Sequence, residues 1–259
     1  DGPLAWLPWH RVGRAKAEVV RVLRDDLQHC RSHGTAGRTD ILAMLADARY
    51  EDGAPMTIPH AIDELVTMLV GGHETTANTL AWTLSHLLPR TDLLARIADE
   101  RRSVFDGGAI DAARCHELAY LDACIRESMR RTPIAPAVPR VLAHDYTLGT
   151  WRLPAGTILF PCTYVVHHRP DLWPEPHAFR PERFLGEDKI AGDRYFPFGG
   201  GRRVCIGMAF ARFEMRIVLA TMLAKLELEL EQPGRARPII RGLTVAPHRV
   251  MATVRRVAG

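Results

Sequence analysis

Cys205 lies between a glycine-rich loop and the start of a helix, a position that favours a metal-binding thiol. The loop is Phe-Gly-Gly-Gly-Arg-Arg-Val-Cys-Ile-Gly, residues 198–207, and an apolar-periodic run without proline follows over 208–225. Unpaired N–H groups at a helix start stabilise an anion, and the neighbouring Arg202 and Arg203 add positive charge. These features favour the thiolate, the form that binds metals. The competing interpretation is a small buried apolar residue.

A second group of reactive residues interrupts a long apolar helix predicted over about 59–88. Its centre, residues 71–76, is Gly-Gly-His-Glu-Thr-Thr. In a helix that is apolar nearly all round and therefore expected in the core, the two glycines each cost about 1 kcal/mol and Glu74 brings in a charge. The Thr75 hydroxyl can bond back to the Gly71 carbonyl, bending the helix and opening its hydrogen-bond ladder. A carboxyl group beside a hydroxyl in such a groove can deliver protons.

A third feature is a pair of opposite charges at helical spacing. Glu127 and Arg130 lie three residues apart in a helix predicted over about 118–131, so they can form an ion pair on one face. Taken alone, such a pair is commonplace on protein surfaces and contributes little to stability.

In this order along the chain, the three motifs resemble those of the cytochrome P450 family of haem-thiolate monooxygenases. The motifs are Gly-Gly-His-Glu-Thr-Thr at 71–76, Glu-x-x-Arg at 127–130 and Phe-x-x-Gly-x-Arg-x-Cys-x-Gly at 198–207. The resemblance implies haem b, an iron protoporphyrin IX, with Cys205 as its axial thiolate ligand. In this family the thiolate promotes O–O cleavage.

The resemblance also implies roles for the other residues of these motifs. Glu74 and Thr75 supply protons during oxygen activation, and Phe198 packs beside the sulfur. Arg203 and Arg140 pair with the haem propionates. The remaining implied cofactor-binding residues are Gly71, Gly72, Gly201 and Gly207; the structural set that holds the cysteine loop is Glu127, Arg130 and Arg183; and the substrate pocket comprises Leu69, His73, Ile134, Val138, Leu243, Thr244 and Val245.

The fold expected from the resemblance and from the hydrophobic pattern is mainly α with a small β region, a cytochrome P450 fold that lacks its N-terminal part. One domain is expected, since no linker or internal repeat is present. Its predicted parts are a helical segment at 1–132, a small β region at 133–166, an irregular loop with the haem-binding loop at 167–207, a helix at 208–229 and a terminal β hairpin at 230–259.

The expected partners are a hydrophobic small molecule, O2 and an external electron donor, a ferredoxin or a flavin reductase, because no flavin or iron–sulfur motif is present. Five scattered cysteines without a Cys-x-x-Cys pair fit a reducing cytoplasm. The protein is expected to be a monomer. No run of residues has the length of a membrane span, although the first residue, Asp1, leaves open a preceding anchor or targeting segment.

Three alternatives remain at this point. The first is a haem-deficient, non-catalytic fragment, and the second is another haem-thiolate chemistry, such as peroxide-driven oxidation or isomerisation. The third is a basic nucleic-acid binder, suggested by a net charge of +4 and a pI near 9.0. The arginines are dispersed among acidic residues rather than gathered in a tract, which argues against nucleic acid.

Overall fold

The computed structural model describes residues 8–186, 190–234 and 236–257. The chain forms two compact units, of which the first ends at Glu74 and the second begins at Thr75. One helix, α3, contributes residues to both units, because it extends from Ile58 to Leu87. Among the described residues, no helix is long and apolar enough to cross a membrane.

The first unit is helical and has a small core of its own. The N-terminus of α2 is capped by Asp40, whose carboxylate accepts a hydrogen bond from the Ala43 N–H. At the start of α3, the Thr57 hydroxyl accepts from the His60 N–H at 3.4 Å. The helices are α1 (Pro8–His33), α2 (Ile41–Asp47) and the first part of α3. One cluster of buried residues joins them, made of Leu27, Cys30, Ala46, Ala61 and Ile62.

The second unit is built around α5 (Ala119–Arg131), ten of whose residues are buried. The residue before α5, Leu118, offers no side-chain cap for the N-terminus of the helix. The carboxylate of Glu100 in α4 (Thr91–Val104) caps it instead and accepts hydrogen bonds from the N–H groups of Tyr120 and Leu121 at 2.5 and 3.0 Å. The other helices are α6 (Thr163–His167) and α7 (Met208–Lys225), with 3₁₀ turns at Ala112–Glu117, Pro181–Phe184 and Gly201–Arg203.

Contacts between α5 and α7 form the main apolar core of this unit. Leu121 and Ile125 of α5 pack in one cluster with Met215 and Leu219 of α7, and all four are buried. A charged contact joins the same helices, because Arg212 of α7 donates to the Asp122 carboxylate at 2.5 Å. These contacts fix the helix that directly follows Cys205.

The described strands form four two-stranded antiparallel sheets, which confirms the expected mainly α fold with a small β region. The pairs are β1 (Arg140–Val141) with β4 (Ile158–Leu159), β2 (Tyr146–Leu148) with β3 (Trp151–Leu153), β5 (Leu226–Leu230) with β8 (Ala252–Val257), and β6 (Pro238–Arg241) with β7 (Thr244–Pro247).

Several expected boundaries are wrong. The helix predicted over 208–229 ends at Lys225, because the following Leu-Glu-Leu-Glu-Leu alternates with a period of two and forms β5. The expected single hairpin at 230–259 is instead a β6–β7 hairpin enclosed between the paired strands β5 and β8. The predicted β region at 133–166 also contains most of the short helix α6.

The expectation that α3 is buried along its length holds only in part. Leu65 and Trp82 are buried, but Leu69 and Val70 near the middle are 53% and 70% exposed. An apolar sequence favours burial only where other residues cover the helix, and in the described part of the chain these two side chains stay largely uncovered.

Leu121→Ala should lower the free energy of unfolding by about 2 to 5 kcal/mol, because it leaves a cavity in the α5–α7 core. The matched control is Leu148→Ala on β2, where the side chain is 53% exposed and the expected change is below about 0.5 kcal/mol. Urea unfolding followed by circular dichroism measures both values. Equal losses for the two variants would contradict this assignment of the core.

Candidate functional site

The Cys205 loop is held by its own backbone hydrogen bonds. The Cys205 N–H donates to the Phe198 carbonyl at 3.0 Å, and the Val204 N–H donates to the Gly201 carbonyl at 3.2 Å. Gly199 and Gly201 have φ angles of +75° and +65°, which other residues rarely adopt. The loop therefore needs glycine at both positions to close before α7 begins.

The surroundings of Cys205 form an open surface that is rich in apolar side chains. Cys205 is exposed, whereas Cys30, Cys115 and Cys124 are buried and Cys162 is half-buried. Its neighbour in the loop, Ile206, is 90% exposed. Further exposed apolar side chains on this part of the chain are those of Val204, Met208, Phe210 and Phe213.

The two glycines of the Cys205 loop that are expected to bind the cofactor, Gly201 and Gly207, differ in their surroundings. A Cβ added to Gly201 would have no heavy atom within 4 Å, so this side of the loop is open. A Cβ added to Gly207 would lie 3.9 Å from the Cys205 sulfur, an ordinary contact. Phe198 packs against the α5–α7 core and thereby anchors the loop; its predicted contact with the sulfur stays a prediction.

These residues fit a haem better than a metal ion held by side chains alone. No group of three or more His, Cys, Asp or Glu residues that could hold a metal ion occurs within residues 8–186, 190–234 and 236–257. A haem brings its own four nitrogen ligands and needs only an axial ligand from the protein, such as one thiolate. An exposed thiol beside open apolar surface meets that requirement.

The Glu127–Arg130 pair is completely buried. Arg130 donates from Nε and Nη2 to the two Glu127 carboxylate oxygens at 2.7 and 2.9 Å, and both side chains have zero exposure. Its remaining N–H groups donate to the carbonyls of His167 and Pro176 at 2.7 and 2.8 Å, with a longer contact of 3.4 Å to Ala178. The pair therefore connects α5 to α6 and to the loop after it.

Arg183 joins the same cluster, so all three residues of the predicted structural set lie together. Its Nε is 3.5 Å from Glu127 Oε1, and its Nη2 donates to the Glu175 carbonyl at 2.9 Å. The Arg180 N–H also donates to Glu127 Oε1 at 2.9 Å. Burial lowers the pKa of Arg183, and the negative charge of Glu127 opposes that shift.

His167 is a positioning residue that the sequence analysis did not identify. Its Nε2 accepts a hydrogen bond from the Phe196 N–H at 3.1 Å, and its ring stacks on Tyr195 with centroids 5.2 Å apart. The Tyr195 hydroxyl in turn donates to the Arg126 carbonyl of α5 at 3.0 Å. These bonds fix the segment just before Phe198. No local spacing predicts them, because the partners are 29 and 69 residues apart.

Burial lowers the pKa of His167 to about 3. Since Nε2 accepts a hydrogen bond, the neutral ring carries its proton on Nδ1, which has no partner among the described residues. The folded protein therefore holds this histidine neutral at physiological pH.

Glu74 and Thr75 are consecutive, half-buried residues of α3. The α-helix is uninterrupted through residues 71–76, so the predicted opening of its hydrogen-bond ladder is not observed. Hydroxyl groups farther along bond back within the helix without breaking it: Thr79 Oγ1 donates to the Thr75 carbonyl and Thr83 Oγ1 to the Thr79 carbonyl, each at 2.8 Å. Gly71, Gly72 and His73 are exposed.

Part of the expected substrate set lies together in the second unit. The Val245 N–H donates to the Ile134 carbonyl at 2.8 Å, and the Val245 carbonyl accepts from Trp82 Nε1 at 3.4 Å. This joins β7 to the turn after α5. Leu243 is 75% exposed, while Val138 and Thr244 are half-buried.

The two arginines expected to pair with propionates have no carboxylate partner among the described ion pairs. Arg140 on β1 is half-buried and donates to the carbonyl of its neighbour Pro139 at 2.9 Å. Arg203, in the 3₁₀ turn before Cys205, is exposed. Their side chains therefore remain available to an anionic group.

The sequence model described as "Cytochrome P450" matches residues 9–254 of the chain. This chain belongs to the cytochrome P450 family. The predicted membership is therefore confirmed, and members of this family are in general haem-thiolate monooxygenases. The chain spans about half the length of the curated cytochrome P450 relatives described next.

Two relatives come from Mycobacterium tuberculosis (strain ATCC 25618 / H37Rv). "Putative cytochrome P450 135B1" is 36% identical over 245 residues, which cover 93% of this chain and 50% of the relative. "Putative cytochrome P450 138" is 37% identical over 242 residues, which cover 93% of this chain and 52% of the relative.

Solved cytochrome P450 structures confirm the fold. The crystal structure of CYP102L1 superposes with a TM-score of 0.84 at 25% identity and covers 99% of this chain and 60% of that one. Cyanobacterial CYP120A1, solved with retinoic acid bound, gives a TM-score of 0.83 at 24% identity, covering 98% and 59%. The second similarity is evidence for the fold alone.

Arg130→Ala should lower the free energy of unfolding by about 3 to 5 kcal/mol, because it leaves the Glu127 charge buried without its partner. The matched control is Arg169→Ala, which removes an exposed pair with Asp171 and should leave the unfolding midpoint unchanged. Chemical denaturation measures both. A similar, small effect of both variants would contradict a structural role for the buried pair.

Stability should fall as the pH drops below about 6.5, the ordinary pKa of histidine in an unfolded chain. The unfolded chain then takes up a proton that folded His167, with its pKa of about 3, does not. Between the unfolded and the folded pKa, this residue lowers the free energy of unfolding by up to about 1.4 kcal/mol for each pH unit. His167→Gln keeps an acceptor for Phe196 and should reduce the slope by that amount. If His167→Gln and the wild-type protein lose stability equally between pH 6 and pH 5, a buried neutral ring at this position is contradicted.

Proposed function

We propose that this chain is the haem-binding part of a haem-thiolate monooxygenase that inserts one oxygen atom from O2 into a hydrophobic small molecule. The observation that carries the proposal is the exposed Cys205 on a glycine loop beside open apolar surface, in a chain of the cytochrome P450 family. When bound, the haem supplies the iron that activates O2 and, with its thiolate ligand, favours O–O cleavage.

Residues around Cys205 hold and orient the cofactor in this proposal. The Cys205 thiolate binds the iron, and Arg203 and Arg140 hold the two propionates by charge-assisted hydrogen bonds. Gly201 leaves space for the flat ring, which the open surroundings of its Cα support. Gly71, Gly72 and Gly207 allow close approach in the same way, and Phe198 shields the sulfur from water.

Glu74 and Thr75 supply protons to the oxygen atom that leaves as water. The Glu74 carboxyl takes a proton from solvent, and the Thr75 hydroxyl passes it on at Oγ1. Their half-burial supports this role, since it limits uncontrolled access of water while leaving the carboxyl reachable.

The substrate is apolar because the residues assigned to its pocket are mostly apolar. The contact between Val245 and Ile134 supports a pocket wall formed by β7 and the turn after α5. The other members assigned to the pocket are Leu69, His73, Val138, Leu243 and Thr244.

Electrons come from a separate ferredoxin or flavin reductase. We place the monomeric protein in the cytoplasm, where its five free thiols would stay reduced.

The spectrum of the reduced, carbon-monoxide-treated protein tests the proposal. After haem is added, the wild-type chain should show the shifted Soret band that a thiolate ligand produces. Cys205→Ser should lose that band, because an alcohol does not replace a thiolate ligand. The matched control is Cys162→Ser, since Cys162 is also at least partly accessible and is not assigned to the iron.

Two results would contradict the proposal. If the folded wild-type chain binds no haem, the alternative of a haem-deficient, non-catalytic fragment is favoured. If Cys205→Ser keeps the shifted band, another residue is the ligand. Circular dichroism of each variant shows whether a lost band reflects a lost ligand or a lost fold.

Thr75→Ala should still consume reducing equivalents but release them as hydrogen peroxide rather than organic product, because the final proton transfer is impaired. Thr67→Ala is the matched control: this exposed threonine lies on the same helix and bonds back to the Asp63 carbonyl. Peroxide formed per electron donor oxidised, measured with a surrogate ferredoxin and reductase, should rise several-fold only in Thr75→Ala. An unchanged ratio would remove Thr75 from the proton pathway and leave the peroxide-driven alternative open.

A further inference from the structure

The β6–β7 hairpin carries three of the residues assigned to the substrate pocket and is too small to be stable by itself. Its strands are joined by a two-residue turn, Gly242 and Leu243, in which Gly242 has a φ angle of +60°. An isolated two-stranded hairpin is only marginally stable in water. The tip is open to solvent, because Ile240 is 82% and Leu243 is 75% exposed. Contacts with the rest of the second unit therefore decide how the hairpin is held.

Val245 ties the hairpin to the rest of this unit through both of its backbone groups. It lies opposite Ile240 in the β6–β7 register. Opposite residues of an antiparallel pair alternate between those bonded to each other and those whose N–H and C=O groups face outward. The Val245 N–H donates to the Ile134 carbonyl at 2.8 Å, and its carbonyl accepts from Trp82 Nε1 at 3.4 Å. The hairpin is thus anchored at one residue to the turn after α5 and to α3.

Trp82 packs against the cluster that also supports the Cys205 loop. It is 3% exposed, and its ring stacks on His86 with centroids 6.2 Å apart. The His86 ring lies 5.0 Å from that of Phe179, which directly precedes Arg180, the backbone donor to Glu127. Burial and nearby arginine charges lower the pKa of His86 to about 3, so this ring is uncharged. The buried stack fixes the direction in which the indole N–H points.

We propose that Trp82 is a positioning residue for substrate selection. Its indole N–H holds Val245 and thereby sets the distance between the β6–β7 hairpin and the turn after α5. The inference rests on the proposed function, in which Val245 and Ile134 form a wall of the substrate pocket. Trp82 acts through Val245 rather than by touching the substrate. The alternative is a tryptophan that only fills the core, since a buried indole N–H commonly finds an acceptor.

Amide hydrogen exchange of the isolated chain tests the anchor. Trp82→Phe keeps an aromatic ring but removes the donor, and exchange of the segment 239–246 should become about fivefold faster. The matched control is Trp173→Phe, the same substitution at another buried tryptophan, whose indole N–H has no partner among the described residues. It should leave the exchange of this segment unchanged.

A second substitution covers the case in which Trp82→Phe does not fold. Replacement of Trp82 by benzothienylalanine puts a sulfur atom in place of the N–H and keeps nearly the same shape. The same acceleration of exchange in the hairpin is expected, and circular dichroism shows whether the fold is retained.

Titration of the haem-loaded chain with two azoles tests the role in selection. Imidazole and 4-phenylimidazole both bind haem iron through a nitrogen and shift the Soret band, but only the second carries a large apolar group. Trp82→Phe should raise the Kd of 4-phenylimidazole about fivefold and change that of imidazole less than twofold. Trp173→Phe should leave the ratio of the two Kd values unchanged. A tryptophan that only fills the core predicts equal changes for both azoles.

The inference is overturned if exchange of the hairpin is unchanged in Trp82→Phe, or if it rises equally in Trp173→Phe. It is also overturned if Trp82→Phe changes both Kd values by the same factor. A folded wild-type chain that takes up no haem contradicts the proposed function, and with it the role in substrate selection. The exchange measurement needs no haem and still decides whether Trp82 anchors the hairpin.

Discussion

The buried ion pair of Glu127 and Arg130 is the interaction on which the geometry around Cys205 depends. Removing two charges from water costs several kcal/mol each, so the pair is stable only when nearly every donor and acceptor is satisfied. The partners that satisfy it are backbone groups of His167, Pro176 and Arg180. The pair therefore fixes the path of the chain before the cysteine loop as well as joining two side chains.

The residues that position the cysteine loop are different from the residue proposed to bind the cofactor. The groups that position the loop are buried and hydrogen-bonded to the backbone, and His167 extends them to the Phe196 N–H, only nine residues before the cysteine. Cys205 itself is exposed beside open apolar surface. A rigid buried scaffold holding an exposed ligand is suited to a large flat cofactor.

Local spacing was sufficient for features that depend on neighbours in sequence. It predicted a helix over about 118–131, observed as 119–131, and the placement of Glu127 and Arg130 on one face. Long-range features were not accessible in this way. The pairing of β5 with β8 and the hydrogen bond from Phe196 to His167 join distant segments, and the exposure of Leu69 depends on whether another surface covers it. The structural cluster was found only because its motifs resemble a known family.

Hydrogen exchange of the segment 195–207 in Glu127→Gln measures most directly whether the buried pair holds the cysteine loop. The account predicts that exchange in this segment becomes at least tenfold faster, while peptides of α7 keep their protection. Glu175→Gln, which changes an exposed pair with Arg180, should leave the segment unchanged. Unchanged exchange in Glu127→Gln, or a uniform increase across α4, α5 and α7, would contradict the account.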